Sequence, residues 1–486
     1  MDITITAKRA KEYDVVVCGG GTAGVAAALA AARQGASVLI LERSFFIGGM
    51  LTEGNAGITK FTDHCRDAKE YKNEIIDTLA TDPKSVQCVR GIAREFCMRL
   101  IEAGEADGTN GDCGSYVFTN RYAAQITLLD MLDEAKVDVL YDTRVCHVVK
   151  DGDVLKSVIA VNKDGFVEFP AKCFIDTTGD ADVATLSGAE MAVGAGPNDI
   201  AEGGDVQPGQ MQPMGVMYRV TNVDYDTLFA FLDEHPETYK PQVLAMQSYE
   251  DAKESYLKGD MVVLCLIVKN TDPKTMAEMP TVDVQVYITP CRTEAILLFC
   301  GSTHNFYWGN GVDAKTLTDA QNAILRGTKE STDAIRNTIP GFTNALLSHV
   351  PIIGVRESRR IIGDYVMSIA DVLSGKEFDD SIACGGHPVD TDSVPQEVRE
   401  AAMHHWRCHI PFRVMLPKHV SGLLVAGRCV SATRLACGTL RTTATCMAMG
   451  EAAGIAAAMA VKEGIAPANV DVQQVRKTLL ENGAVF

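Results

Sequence analysis

No two cysteines in this sequence stand at the C-x-x-C spacing, although the chain carries 15 of them in 486 residues. That absence removes zinc ribbons, iron–sulfur ligand runs and thioredoxin-type redox pairs, so no metal site is expected and any electron path must do without a cluster. Basic blocks are missing too. The formal net charge of −18 is spread along the chain, which argues against a nucleic-acid partner. The most apolar run, residues 452–461, is too short to cross ~30 Å of hydrocarbon and reads as a tightly packed helix, so no membrane span is expected. The opening MDITITAKRAKEYD lacks the basic-then-apolar start of a secretory signal, and the cysteines are therefore expected as reduced thiols in the cytoplasm.

What is present fits a folded, enzyme-sized globule: 47% hydrophobic and 22% charged residues, in a chain long enough for two or three packed units. Residues 13–18 form an apolar β-rich run without polar alternation, as expected of a central parallel strand. It breaks at Gly19-Gly20-Gly21 and is followed by a small-residue helix from Thr22 to about Gln34, then a second strand ending at Glu42. The pattern Gly19-x-Gly21-x-x-Gly24 thus sits between strand and helix, the context in which it binds a dinucleotide. Gly19 permits the tight turn, Gly21 lets backbone approach a pyrophosphate, and Gly24 lets helix and strand pack closely. Glu42 is placed to accept hydrogen bonds from a ribose diol. NAD and FAD satisfy this motif equally well.

The remaining pattern predicts an α/β fold: a Rossmann-like domain with a parallel sheet and a small antiparallel meander, plus a second α+β substrate domain. Two helical stretches are expected over 65–110, a helix over 121–135, and the meander over 137–175. A Gly/Pro-rich stretch at 194–213, without helical or strand period, suggests a boundary. The expected organisation is 1–195 as the first part of the nucleotide domain, with a helical insertion at about 60–112. Residues 196–345 form a substrate or cap domain, 346–470 the returning second part, helix-rich at first, and 471–486 a C-terminal helix.

Further segments carry a family resemblance. Thr177-Thr178-Gly179-Asp180 and Val425-Ala426-Gly427-Arg428-Cys429-Val430-Ser431 follow predicted strands. Glu42-Arg43 is followed by Gly48-Gly49-Met50, and later come Arg356-Glu357-Ser358-Arg359-Arg360 and Ile410-Pro411-Phe412-Arg413. Together these resemble the FAD-dependent oxidoreductase family of the glutathione-reductase superfamily. The resemblance implies FAD as cofactor, its ADP half on the first βαβ unit and its isoalloxazine against the late glycine turn and the helix near Thr443. The implied cofactor contacts are Gly19, Gly21, Thr22, Ala23, Gly24, Glu42, Arg43, Gly48, Gly49, Met50, Val145, Gly179, Asp180, Gly427, Arg428, Gly438 and Thr439. Arg428 departs from the wider superfamily, where an acidic residue often contacts the ribityl chain. His64, beside Cys65, is a candidate for a covalent flavin link.

No second G-x-G-x-x-G follows a later strand, so a dedicated NAD(P)H domain is not expected, and a small-molecule substrate and an unidentified electron acceptor visit the same flavin. Proton chemistry at such a site calls for histidine and arginine. His304 lies in a loop with Phe306, Tyr307 and Trp308, in a chain with only two tryptophans. It is read either as a catalytic base or as a hydrogen-bonded loop histidine. His409 and Arg413 flank the Ile-Pro-Phe segment and complete the catalytic candidates. Arg356 and Arg359, with Arg360, stand at i, i+3, i+4, a spacing that puts guanidinium groups on one helix face toward a substrate carboxylate; pairing with acids is the alternative. Trp308 joins Arg356 and Arg359 as a substrate-binding candidate, whereas His404 and His405 suit a solvated helix face. Three activities stay open: dehydrogenation of a small polar molecule, reduction of an activated C=C bond in the manner of fumarate reductases, and electron transfer as a subunit. Homo-oligomerisation also stays open.

Overall fold

The computed structural model describes residues 6–54, 58–59, 87–106, 116–117, 119–203, 205–240, 248–259, 262–271, 278–289, 294–300, 305–402 and 407–486. Its described residues divide into two compact units, one built from the chain up to Gln210 together with 358–486, the other from 211–357.

In the first unit, strand β1 (Tyr13–Cys18) is almost wholly buried and runs into the glycine turn; α1 (Thr22–Arg33) and β2 (Val38–Leu41) complete a βαβ unit. Next come α2 (Gly91–Glu102) and α3 (Arg121–Glu134), the latter started by Asn120, whose side chain accepts the N–H groups of Tyr122 and Ala123. After β3 (Asp138–Leu140), the strands β4 (Arg144–Asp151), β5 (Val154–Asn162) and β6 (Gly165–Asp176) form the antiparallel meander. The last of these serves two layers. Its first half pairs antiparallel with β5, and its second half runs parallel to β1 with Asp176 opposite Cys18.

The second unit is an antiparallel sheet with helices packed on it. Its elements are β7 (Tyr218–Thr221), α4 (Tyr225–Glu234), α5 (Tyr249–Lys258), β8 (Val262–Thr271), β9 (Glu278–Ile288), β10 (Glu294–Cys300), α6 (Ala314–Thr338) and β11 (Leu346–His349). The strand order is β8-β9-β10-β7-β11. Helix α6 buries Ala320, Ile324, Gly327, Thr328, Ser331 and Ile335, one face at the helical period, so its outer side stays charged.

The chain then returns to the first unit. Strand β12 (Arg359–Ile361) pairs with 191–193, β13 (Ser381–Gly385) pairs with β14 (Cys408–Pro411), and β15 (Leu423–Val425) runs parallel to β6. The parallel layer is thus ordered β3-β2-β1-β6-β15. Three helices follow: α7 (Arg434–Leu440), α8 (Thr443–Glu463) and α9 (Val472–Glu481). Helix α8 is long and apolar enough to cross a membrane, but 83% of its most apolar stretch is buried inside the protein. It lies against α1 by way of small residues. A Cβ on Gly450 or Gly454 would stand 2.1 Å from the backbone oxygens of Ala23 and Ala27, so only glycine lets the two backbones approach this closely.

Three expectations are corrected. Arg356, Arg359 and Arg360 do not share a helix face, because Arg359 and Arg360 lie on β12 and Arg356 precedes it in irregular backbone. The alternation of a strand sends Arg360 into the core, where it is 1% exposed, while Arg359 stays half-buried. The region after Pro351 is not helix-rich but carries β12, the β13–β14 pair and only short helices. The 194–213 stretch contains a helical turn, Pro197–Ala201, where Asp199 accepts the Gly196 N–H, and Gln210 hydrogen-bonds back to Asp392 at 2.8 Å, tying it to the first unit. The first expected helix within 65–110, the break at 110–115, and His64, Cys65, His304, His404 and His405 lie outside the described residues.

Candidate functional site

The glycine turn after β1 is built by contact with the end of β6. Gly19 has φ +105°, and a Cβ there would stand 2.6 Å from the Thr177 carbonyl oxygen, so both conformation and space demand glycine. Thr177 donates its hydroxyl to the Gly19 carbonyl at 2.7 Å, which fixes the two turns together. Gly24 packs still closer, its absent Cβ 1.9 Å from the Gly19 oxygen. At Gly21, by contrast, a Cβ would meet nothing within 4 Å. Space opens there at the N-terminus of α1, which has no side-chain cap and no acidic residue in its first turn. Uncapped N–H groups facing open space at the positive end of a helix, where Thr22 and Ala23 begin it, are what a pyrophosphate requires.

Glu42 closes one side. It is 9% exposed and accepts the N–H groups of Gly20 at 2.7 Å and Ser44 at 2.8 Å. Thr143, at the entry to β4, donates its N–H to the Glu42 carbonyl at 2.9 Å, which brings the β4 end that carries Val145 to the same edge. Gly48 donates to the Gly20 carbonyl at 2.8 Å, and the Cβ position of Gly49 lies 3.1 Å from the Gly21 Cα, so the Gly48-Gly49-Met50 turn folds back onto the glycine loop.

The two later motifs meet at an ion pair. Arg428 donates to Asp180 at 2.6 Å, and Arg43 stands 4.0 Å from the other carboxylate oxygen. Burial by itself would raise the Asp180 carboxyl, but Arg428, with Ser358 and Arg43, holds it below the ordinary carboxylate range. Arg428 Nε is buried and has no hydrogen-bond partner, a donor without an acceptor. Gly427 abuts α1, its absent Cβ 3.4 Å from that of Ala23, and Cys437 of α7 donates to the Arg428 carbonyl, linking Gly438 and Thr439 to the same turn. Asp176, at the end of β6, accepts from the Ala184 N–H and from the Thr178 hydroxyl; burial pushes its carboxyl up to about 6.

The chemistry candidates are placed differently. His409 Nδ1 lies 3.4 Å from Cys384 Sγ, its partner across the β13–β14 pair, and Nε2 lies 4.0 Å from Glu377. Burial lowers its basicity, with Arg407 and Arg476 adding to the effect against Glu377. The neighbouring pair, Gly385 and Cys408, projects to the opposite face of the hairpin, toward Thr439 and Thr445, so His409 faces away from those threonines. Arg413 pairs with Asp380 at 3.1 Å and stacks on Tyr365, 4.6 Å from the ring centre. Arg359 pairs with Asp182 at 3.0 Å. In the second unit Arg356 stacks on Phe306 at 4.6 Å and donates to the Pro213 carbonyl, and Trp308 is 55% exposed.

Sequence reasoning missed a set of long-range ion pairs, two of them largely buried. Arg360 pairs with Asp199 at 2.9 Å, Arg434 pairs with Asp392, and Arg441 pairs with Asp390 at 2.8 Å. These partners are tens or hundreds of residues apart, and no spacing rule connects them.

An open glycine loop with uncapped helix N–H groups, a carboxylate at the ribose edge and a buried unpartnered guanidinium N–H together fit FAD. The family comparison agrees. Residues 14–479 match the model of the family described as FAD dependent oxidoreductase. Over 189 residues the chain is 29% identical to the NADH:fumarate oxidoreductase of Klebsiella pneumoniae (strain 342), an alignment that takes in 35% of this chain and only 20% of that protein. Among solved structures it is similar to a geranylgeranyl bacteriochlorophyll reductase-like protein from Thermoplasma acidophilum, at 12% identity and TM-score 0.43 over 98% of this chain and 84% of the other. The flavin-dependent brominase Bmp2 gives 11% identity and TM-score 0.41 over 97% and 83%. The chain belongs to the FAD dependent oxidoreductase family, and it is an oxidoreductase whose cofactor is FAD.

Proposed function

We propose that this flavoenzyme, which we group with the glutathione-reductase superfamily, dehydrogenates a small polar organic substrate and passes the electrons to a separate acceptor. FAD, when bound, supplies a two-electron acceptor for the substrate's hydride. The observation that carries the reading is the commitment of arginine. Arg359, Arg360, Arg413, Arg428, Arg434 and Arg441 each pair with an aspartate, so each would offer a dicarboxylate a positive charge already countered by a carboxylate. Dehydrogenation asks less of cations. It needs a base for the substrate proton, the role we give to His304, and polar groups that hold the substrate's oxygen atoms.

The resemblance over 189 residues to an NADH:fumarate oxidoreductase supports a second reading, reduction of an activated C=C bond. Anaerobic mixing separates the two. Under the first reading a panel of alcohols, polyols, hydroxy acids and amines contains a compound that bleaches the oxidised flavin band. Reoxidation of pre-reduced enzyme by an enoate, with no bleaching by any donor, sinks the first reading and supports the second.

A further inference from the structure

Strand β11 is the last strand of the second unit's sheet, and among the described residues only β7 pairs with it. Helix α6 runs antiparallel to the segment that contains this strand. Arg336, near the end of the helix, donates to the Thr343 carbonyl at 3.5 Å, and Gln321, near its start, accepts the Ile353 N–H at 3.1 Å. Leu325 follows Gln321 by about one helical turn and precedes Arg336 by about three, so all three stand on the flank of α6 that lies beside β11.

Along this margin the surface is apolar. Leu325 is 50% exposed, Leu346 52%, Leu347 38% and Ile352 43%. Residues 341–355 contain no Asp, Glu, Lys or Arg, in a chain of which 22% is charged. An edge strand is ordinarily guarded by charge; here the guards are a length of four residues and a bulge at Ser348, where the register with β7 shifts. They limit backbone pairing with another strand but leave the leucines uncovered. Exposed apolar side chains gathered in one place mark an interaction surface.

Charge says which partner fits. The chain carries 63 acidic and 45 basic residues, so two copies repel over most of their surfaces. Helix α6 reverses the balance, with four basic residues, Lys315, Arg326, Lys329 and Arg336, against three acidic ones, Asp319, Glu330 and Asp333. Lys315 pairs with Asp319 and Lys329 with Asp333 inside the helix. Beside the uncharged 341–355 segment, this is a surface on which a second copy meets no net negative charge, whereas a basic partner would be drawn to the acidic remainder of the chain. Its extent is sufficient. The 25 residues of α6 span about 37 Å, and a strip ~20 Å wide along them offers roughly 750 Å² per copy, close to the ~800 Å² a side of stable complexes.

We propose that the protein is a homodimer whose twofold axis passes through the margin between β11 and α6, with Leu325, Leu346, Leu347 and Ile352 of one copy packed against the same margin of the other. A twofold contact is isologous, so an apolar margin meets its own kind. The inference is independent of which substrate the flavin oxidises.

Sedimentation equilibrium of the FAD-loaded protein at micromolar concentration is expected to give twice the 52.3 kDa chain mass. Leu346→Lys and, separately, Leu325→Lys set like charges close together across the axis and are each expected to raise the dissociation constant more than about 100-fold, with FAD content and far-UV circular dichroism unchanged. Leu257→Lys, on α5 at a side chain 75% exposed, should leave the dimer intact. In the wild-type chain, amide exchange over 346–349 is expected to slow as concentration rises through the dimerisation midpoint. A wild-type chain that stays monomeric overturns the proposal and leaves the margin to a different partner, as does amide exchange that ignores concentration. A dimer unaffected by either margin lysine, or broken equally by Leu257→Lys, overturns it by placing the contact elsewhere.

Discussion

Arg428 and Asp180 meet at 2.6 Å although 248 positions separate them, and their ion pair joins the turn after β6 to the turn after β15. Gly179 makes the meeting possible: with φ +78° and no side chain, it leaves room where a Cβ would stand 2.8 Å from Arg428 Nη1. Both side chains are mostly shielded, at 21% and 12% exposure, so removing one charge strands the other. Asp180→Asn is therefore expected to cost about 2–4 kcal/mol of stability, a little below the range for fully buried pairs. It should also lower FAD retention. Urea unfolding with flavin release on gel filtration checks both; unchanged values would show the pair to be ornamental.

A second expectation concerns pH. Burial raises the carboxyl of Asp176 to about 6 and that of Glu451 to about 7, the latter with one oxygen buried and unpartnered and the other accepting the Ile92 N–H at 2.9 Å. Their folded values lie above the ordinary carboxyl values of 3.8 and 4.5, so between those limits the folded state binds more protons than the unfolded one. Stability contributed by these two groups is then present at low pH and falls as pH rises to about 7. Glu451→Gln, which stays neutral, should flatten the upper part of that fall and be more stable than the parent at pH 8 by about 1–3 kcal/mol. Denaturation midpoints at pH 5 and pH 8 decide it, and a parent whose stability climbs over that interval would contradict the assignment.

The reach of sequence reasoning follows from which interactions are local. The βαβ unit, Gly19 to Gly24, Glu42 and the helices α3 and α8 were legible because periodicity, glycine placement and strand-to-helix context are written within about 20 residues. The helix expected through Arg356–Arg360 failed for the opposite reason. Arg360 is in a strand because Asp199 and the Gly194 and Ala432 carbonyls wait for it in the core, partners that no window around residue 360 contains. Asp390 and Asp392 were invisible as partners on the same ground, since only the folded α7 brings Arg441 and Arg434 to them.

Close packing of α1 on α8 supplies another test, in which two effects oppose each other. Alanine in place of a mid-helix glycine ordinarily adds about 1 kcal/mol of helix stability. At Gly450 the new Cβ would stand 2.1 Å from the Ala23 backbone oxygen, and forcing helices apart costs typically 1–3 kcal/mol. Gly450→Ala should therefore be destabilised, and because Ala23 lies in the first turn of α1, FAD binding should weaken with it. Equilibrium unfolding measures the sign directly; a stabilised variant would mean the helices slide apart without penalty.

Glu42 gives the sharpest separation between the halves of the cofactor. Its carboxylate accepts from the Gly20 N–H, the Ser44 N–H and the Ser44 hydroxyl, all between 2.7 and 2.8 Å, which orients it at the edge of the glycine loop. Glutamine preserves the shape but turns one acceptor into a donor facing another donor, a loss of about 1.5–3 kcal/mol for charge-assisted bonds of this kind. Since the glycine loop and Glu42 are where the adenosine half belongs, Glu42→Gln should weaken FAD by roughly 10- to 100-fold. Binding of FMN, which has no adenosine, should hardly change. Fluorescence titration of the apoprotein with each flavin reads the two affinities, and a parallel loss for FMN would show that Glu42 acts on the turn as a whole rather than on the ribose.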